Sequence, residues 1–200
     1  RNEAMEAYDM LFKDRKHIAK TSVWGVGCHA AEIMKYHTDE EFNKPTIYFG
    51  NRISDTANRY TNYDSFAEAI GKLSLITDRE FDAVMLNPTR KITEEQQNLI
   101  GILSNDKVKV MDNDEQFTRE DYLKFINRAH ISCNLFVTEV HGGVTHCEAM
   151  LAKNVLVVPN VNNYKTKFEK LNYEYPFLVG VDKDKTHKPD TDQIALKLKE

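Results

Sequence analysis

Two hundred residues, 41% of them apolar, are enough for one domain with a sizeable core. A net charge of −4, from 27 basic and 31 acidic residues mixed along the chain, argues against a dedicated nucleic-acid or membrane surface, which needs a clustered basic excess. Cys28, Cys133 and Cys147 are odd in number and irregular in spacing, so they make no disulfide framework, and no apolar run approaches the roughly 18–20 residues of a membrane span. A reducing, cytoplasmic setting is therefore expected. The chain opens on Arg1 rather than Met, which suggests a piece of a longer protein.

In chain order, residues 3–20 read as a helix, with Met5, Tyr8, Leu11 and Phe12 at helical spacing. TSVWGVGC, 21–28, reads as a short strand, and the polar run 35–45 as a connector. A strand at 46–50 stops at Gly50. From there helices and strands alternate: helix 63–76, strand 82–87, helix 93–104 with Thr93 as N-cap, strand 108–111, and helix 118–130 with Thr118 and Asp121 at capping-box spacing. Strand 131–138, helix 144–153, strand 154–160, a helix around 163–172, strand 176–181 and helix 191–200 complete the series. Short apolar strands between helices of 10 to 14 residues mean βαβ units, a parallel sheet and helices on both faces. The expected fold is a Rossmann-like α/β domain, whose ligands bind beyond the carboxyl ends of the strands.

One such end carries EVHGGVTHCEAM, 139–150. Gly142 and Gly143 permit positive φ and remove Cβ atoms from the approach to the backbone. The helix after them, starting near Val144 or Thr145, offers unpaired N–H groups and a dipole that favour phosphate. Thr145 adds a hydroxyl. Glu148, one turn beyond Val144, can accept two hydroxyl hydrogen bonds, as a ribose diol would give. The same residues also suit an ordinary βα loop with a dipole-stabilising Glu. Behind the strand 46–50, Arg52 and Arg59 stand in a polar loop; a guanidinium there can face the same crevice and bind diphosphate oxygens in a bidentate way. Together these residues point to a nucleotide diphosphate.

Four segments, in order, resemble the C-terminal, donor-binding half of GT-B glycosyltransferases, nearest to the retaining group 4 type. They are WGVGCHAAEIM (24–34), PTIYFGNRISDTANRYTNYDSFAEAI (45–70), REDYLKFINRAHISCNLFVTEVHGGVTHCEAMLAKNVLVVPN (119–160), and FLVGVDKD with DTDQIALKLKE (177–184 and 190–200). The resemblance implies that 23–200 is the nucleotide-sugar-binding domain and that 1–22 is an interdomain helix or the end of an N-terminal acceptor domain. It implies transfer of a sugar from a nucleotide-diphosphate donor to an acceptor hydroxyl, without a metal or other cofactor. Arg52 and Arg59 match the cations on the diphosphate, although lysine is usual at the second place. Gly142, Gly143, Val144 and Thr145 match the turn beside phosphate and sugar, and Glu148 the ribose carboxylate. The family spaces its two glutamates with seven residues between them, whereas eight separate Glu139 from Glu148. The sugar contact then falls either to Glu139, through a one-residue bulge, or to His141. The chain alone is expected to bind donor and to turn over poorly.

Three other readings stand beside this one. A GT-B-like module could serve binding or assembly without catalysis. A nucleotide-sugar epimerase could use the same fold. A zinc site could draw on His130, Cys133, His141, His146 and Cys147, but Cys133 sits in a strand that reads as core. The acidic run at 111–116 lacks the glycine and spacing of a calcium loop.

Overall fold

The computed structural model describes residues 30–51, 53, 61–87, 91–112, 117–137, 144–161, 174–182 and 188–200. The predicted helices at 3–20 and 163–172, and the strand at 21–28, lie outside them. Among the described residues six strands form one parallel sheet: β1 (Thr46–Phe49), β2 (Asp82–Asn87), β3 (Val108–Asp112), β4 (Ile131–Cys133), β5 (Val155–Pro159) and β6 (Leu178–Val179). The helices are α1 (Ala30–Met34), α2 (Tyr63–Ile76), α3 (Glu94–Ser104), α4 (Arg119–Ile126), α5 (Val144–Leu151) and α6 (Thr191–Lys199). No described helix is long and apolar enough to cross a membrane.

The strand residues explain the layers. In β1 all four side chains are buried, because successive residues point to opposite faces and both faces are covered. Phe49 joins Phe66 and Ile70 of α2, Met85 of β2, Ile100 of α3 and Ile194 of α6 on one face. Tyr48 joins Leu86 of β2, Tyr122 and Leu123 of α4, Ala149 of α5 and Val158 of β5 on the other. The expected α/β fold with helices on both faces is the one found.

Strand order is β3-β2-β1-β4-β5-β6. Ile47 sits opposite Ala83 on one side and Ile131 on the other. The chain therefore builds outward from β1 in one direction, then returns to β1 and builds outward in the other. Between β1 and β4 the connections diverge to opposite faces, which opens a crevice at the carboxyl ends of these two strands.

Local chemistry sets the helix ends. Thr93 caps α3 in a reciprocal box: its hydroxyl accepts from Gln96 N at 3.2 Å, and Gln96 Oε1 accepts from Thr93 N at 3.0 Å. Thr118 and Asp121 do the same for α4, at 2.9 and 3.1 Å. Asn62 is the N-cap of α2, with a left-handed φ of 56°, and its side chain leaves the helix to donate to Leu135 O at 2.9 Å. The strand expected at 131–138 stops at Cys133, because the next residues turn their polar groups toward such side chains. Helix α1 escaped the sequence reading; five residues are too few to carry a period.

Beyond α5, Lys153 takes a φ of 64°. A non-glycine residue there costs about 1–2 kcal/mol from the approach of Cβ to its own carbonyl, offset in part by glycine's greater freedom when unfolded. Lys153→Gly is accordingly expected to stabilise the fold by about 0.5–1 kcal/mol, seen as a raised denaturation midpoint at unchanged slope. A lowered midpoint would mean that this turn is held by the lysine side chain instead.

Candidate functional site

The crevice floor is polar and closed on itself. Asn51, just past β1, donates to Asn134 Oδ1 at 3.3 Å; Asn134, just past β4, donates to Thr145 Oγ at 2.8 Å; and Thr145, in the first turn of α5, donates to Asn51 Oδ1 at 3.2 Å. Both asparagines are buried. A side chain from each of three segments thus fixes the other two. Beside them, Asn87 at the end of β2 accepts from Ile53 N at 3.4 Å. Buried amides are expensive unless paired, so such a run of asparagines at four neighbouring chain turns, with Asn62, pins the irregular backbone beyond the strands. The hydroxyl of Thr145 gives its proton to Asn51 here and keeps acceptor capacity beyond these bonds.

Glu148 lies one turn further along α5 and is 2% exposed. Its Oε1 accepts from Arg119 Nη2, and its Oε2 accepts from the Tyr122 hydroxyl at 3.0 Å. Both partners stand on α4, which the Thr118–Asp121 box starts one residue before Arg119. Arg119 stacks over the Tyr122 ring at 5.2 Å and reaches Glu32 of α1 at 3.6 Å. The hydrogen bond that Arg119 donates to Glu148 raises the guanidinium pKa further, against a smaller loss from burial. Burial is the main cause that pushes the Tyr122 phenol well above its ordinary value, so it is a permanent donor at working pH. A Cβ on Gly50 would stand 3.5 Å from the Tyr122 hydroxyl and 3.2 Å from the Tyr48 ring, which places this group against the end of β1. The first turns of α5 therefore send Thr145 toward β1 and β4, and Glu148 toward α4.

Of the residues expected at the site, Val144, Thr145 and Glu148 fall within the described segments; Arg52, Arg59, Glu139, His141, Gly142 and Gly143 lie outside them. Sequence reasoning missed Asn51, Asn134, Arg119 and Tyr122. Asn51 could have been found, since it is the first polar side chain after an apolar strand at the expected crevice; Asn134 could not, since it stands within an apolar run. Arg119 and Tyr122 carry no such signal, because their pairing with Glu148 spans 29 and 26 residues.

The residues weighed for zinc disperse. Cys133 is fully buried in the core, where burial pushes its thiol far up. His130 Nδ1 accepts from Thr46 N at 3.1 Å, and its Nε2 faces Glu41 at 3.3 Å. His146 Nε2 and Cys147 Sγ lie 3.3 Å apart. Among the described residues no three His, Cys, Asp or Glu groups converge as metal ligands.

A second cleft, of about 480 Å³, opens beyond β6 and is lined in part by Ser65, Glu68, Lys188 and Asp190. Two of its charged lining residues pair with groups outside it: Lys188 with Asp64, and Glu68 with Lys72 at 2.9 Å, which also reaches Asp192 at 2.6 Å. These groups tie α6 to α2.

No family profile and no curated relative matches the sequence. Solved structures do match. The E. coli trehalose-6-phosphate structure bound with UDP-2-fluoro glucose aligns over 99% of this chain and 50% of its own, at 13% identity and TM-score 0.63. HepE of Anabaena, solved with UDP and glucose, aligns over 78% and 38%, at 12% identity and TM-score 0.54. A glycosyltransferase from Rickettsia africae aligns over 78% and 37%, at 16% identity and TM-score 0.53. The chain spans half or less of the length of each. At these identities the likeness is one of architecture: the six parallel strands and their helices form the Rossmann-like α/β fold that GT-B glycosyltransferases share.

Proposed function

We propose that this chain is the donor-binding half of a retaining, group 4-like glycosyltransferase, which moves a sugar from a nucleotide diphosphate to an acceptor hydroxyl supplied on another domain. The observation that carries the reading is the β1/β4 crevice, where the amino end of α5 meets the Asn51–Asn134–Thr145 floor and Glu148 stands one turn on. The neighbours solved with UDP or a UDP sugar support the donor class. The difficult charge in such a transfer is on the departing diphosphate. Arg52, Arg59 and the N–H groups of Gly142 to Thr145 would take it up as the bond to the sugar breaks, through preorganised dipoles and cations. Glu148 would hold the ribose, and Glu139 or His141 the sugar.

One observation favours the second reading, a binding or assembly module without catalysis: Glu148 is already paired with Arg119 and Tyr122, as a structural carboxylate would be. Calorimetric titration with UDP, GDP, ADP and their sugar conjugates separates the two. Selective binding of one base is expected, weakened about tenfold or more in Glu148→Ala, in line with loss of charged hydrogen bonds. Folded chain that binds none of them would sink the donor-site reading and leave the module.

A further inference from the structure

We infer that Asn51 and Asn134 are positioning residues that work with Thr145 as one unit, a closed ring of hydrogen bonds that sets the amino end of α5 across the β1/β4 crevice. The inference rests on the donor-site reading and adds two residues to it. Around the ring each side chain donates one bond and accepts one, over 3.3, 2.8 and 3.2 Å. A threonine hydroxyl has a single proton. Here it goes to the amide oxygen of Asn51. Turning both amides over would reverse the ring and leave the count unchanged, since Thr145 would then give its proton to Asn134. In neither direction is that proton left for a phosphate oxygen. The hydroxyl of Thr145 therefore fastens the helix rather than the ligand.

The ring passes the position of the sheet to the helix. Strands β1 and β4 stay paired as far as Phe49 and Cys133, and the two asparagines stand just past these ends. Asn134 is held further by its own N–H on Val157 O of β5 at 3.0 Å. The next carbonyl, of Leu135, accepts from Asn62 at 2.9 Å. Both asparagines are buried, so a bond lost inside the ring is not readily replaced by water. With any one member gone, the two that remain share a single bond, about which they can pivot. Thr145 is then no longer fixed from two strands at once. Groups on the first turn of α5 bind best when their places are set before the ligand arrives, and the ring sets them.

The test measures affinity for UDP, GDP or ADP, whichever the wild-type chain binds tightest, at a temperature well below the melting midpoint of every variant. The chain is folded there, and a ring that only added stability would leave affinity unchanged. Thr145→Val keeps the shape without the hydroxyl and is expected to weaken binding about tenfold, the scale of one hydrogen bond to a charged group. Asn51→Ala and Asn134→Ala should each weaken it several-fold. Thr145→Ser puts the hydroxyl back and should recover most of the affinity. When Asn51→Ala is added to Thr145→Val, the loss should stay within about twofold of Thr145→Val alone, because the ring is already open. Losses that multiply would mean separate contacts and overturn the inference. So would weakening by Thr145→Val with neither alanine variant affected, which would make the hydroxyl a ligand contact. Variants that melt lower yet bind as wild type does would overturn it too. A folded wild-type chain that binds none of the three nucleotides overturns the donor-site reading itself, and the inference with it.

Discussion

Gly71→Ala is expected to destabilise the domain by about 2–3 kcal/mol, although an alanine in the middle of a helix ordinarily gains about 1 kcal/mol over glycine. The reason is contact between helices. A Cβ on Gly71 of α2 would stand 2.3 Å from the carbonyl oxygen of Leu103 and 3.3 Å from Ser104 Cα, both in the last turn of α3. That oxygen is backbone and cannot swing aside. It belongs to a turn closed by left-handed Asn105 and by the bond from Asp106 N to Gly101 O at 2.9 Å. Relief must come from moving α3 off α2, which opens the packing around Ile70, Leu73 and Ile100. For a chain of this size the loss is about 5–10 °C in Tm. Gly101→Ala is the control. Its Cβ would meet only Asp106 Oδ1, at 2.9 Å, the end of a side chain that can rotate away. That variant should melt no lower than wild type. If Gly71→Ala melts with it, the close approach of α2 and α3 is not what holds this face.

Asn154→Ala is expected to cost about 3 kcal/mol, although the residue is small, polar and just outside a helix. Its side chain joins three elements. Nδ2 donates to the carbonyls of Ile126, at 3.0 Å, and of Ala129, and Oδ1 accepts from the Tyr48 hydroxyl at 2.9 Å. That hydroxyl is buried in β1, and desolvation is the main cause that raises its pKa far above a phenol in water. Removing Asn154 leaves one donor and two carbonyls without this partner, at about 1–3 kcal/mol for each group that water cannot reach. A double-mutant cycle tests the assignment. Tyr48→Phe should cost about 1 kcal/mol in wild type and almost nothing once Asn154 is alanine, because the hydroxyl has already lost its acceptor. Additive losses would mean that the two side chains do not act through one another.

The frame of the fold could be read from the residues. Apolar runs such as TIYF and VLVVP, set between helices with the right caps, name a parallel sheet before any coordinate is seen, and Thr93 and Thr118 cap where a β-region threonine with a partner three residues on should. Strand ends were harder. Asn134 continues an apolar run in sequence and its N–H still bonds to Val157 O of β5, but its side chain turns to Thr145, and only the tertiary partner decides that. The helix that carries Val144, Thr145 and Glu148 was legible, because its start follows from the local turn and apolar pattern. What surrounds Glu148 was not legible, because Arg119 and Tyr122 reach it from another helix and nothing in the spacing of the chain marks the meeting.

The strand order also fixes when the crevice can exist. Ile47 of β1 pairs with Ile131 of β4, a separation of 131 − 47 = 84 residues. During synthesis β1, β2 and β3 can assemble from nearby chain, while the other edge of β1 waits with unpaired N–H and C=O groups. Closing so long a loop carries an entropy cost before any contact repays it, so the β1–β4 pairing falls late in folding. Asn51 meets Asn134 and Thr145 only at that step. The recognition surface is thus a product of joining two halves, and a cut anywhere between β3 and β4 would leave two fragments, neither of which contains it.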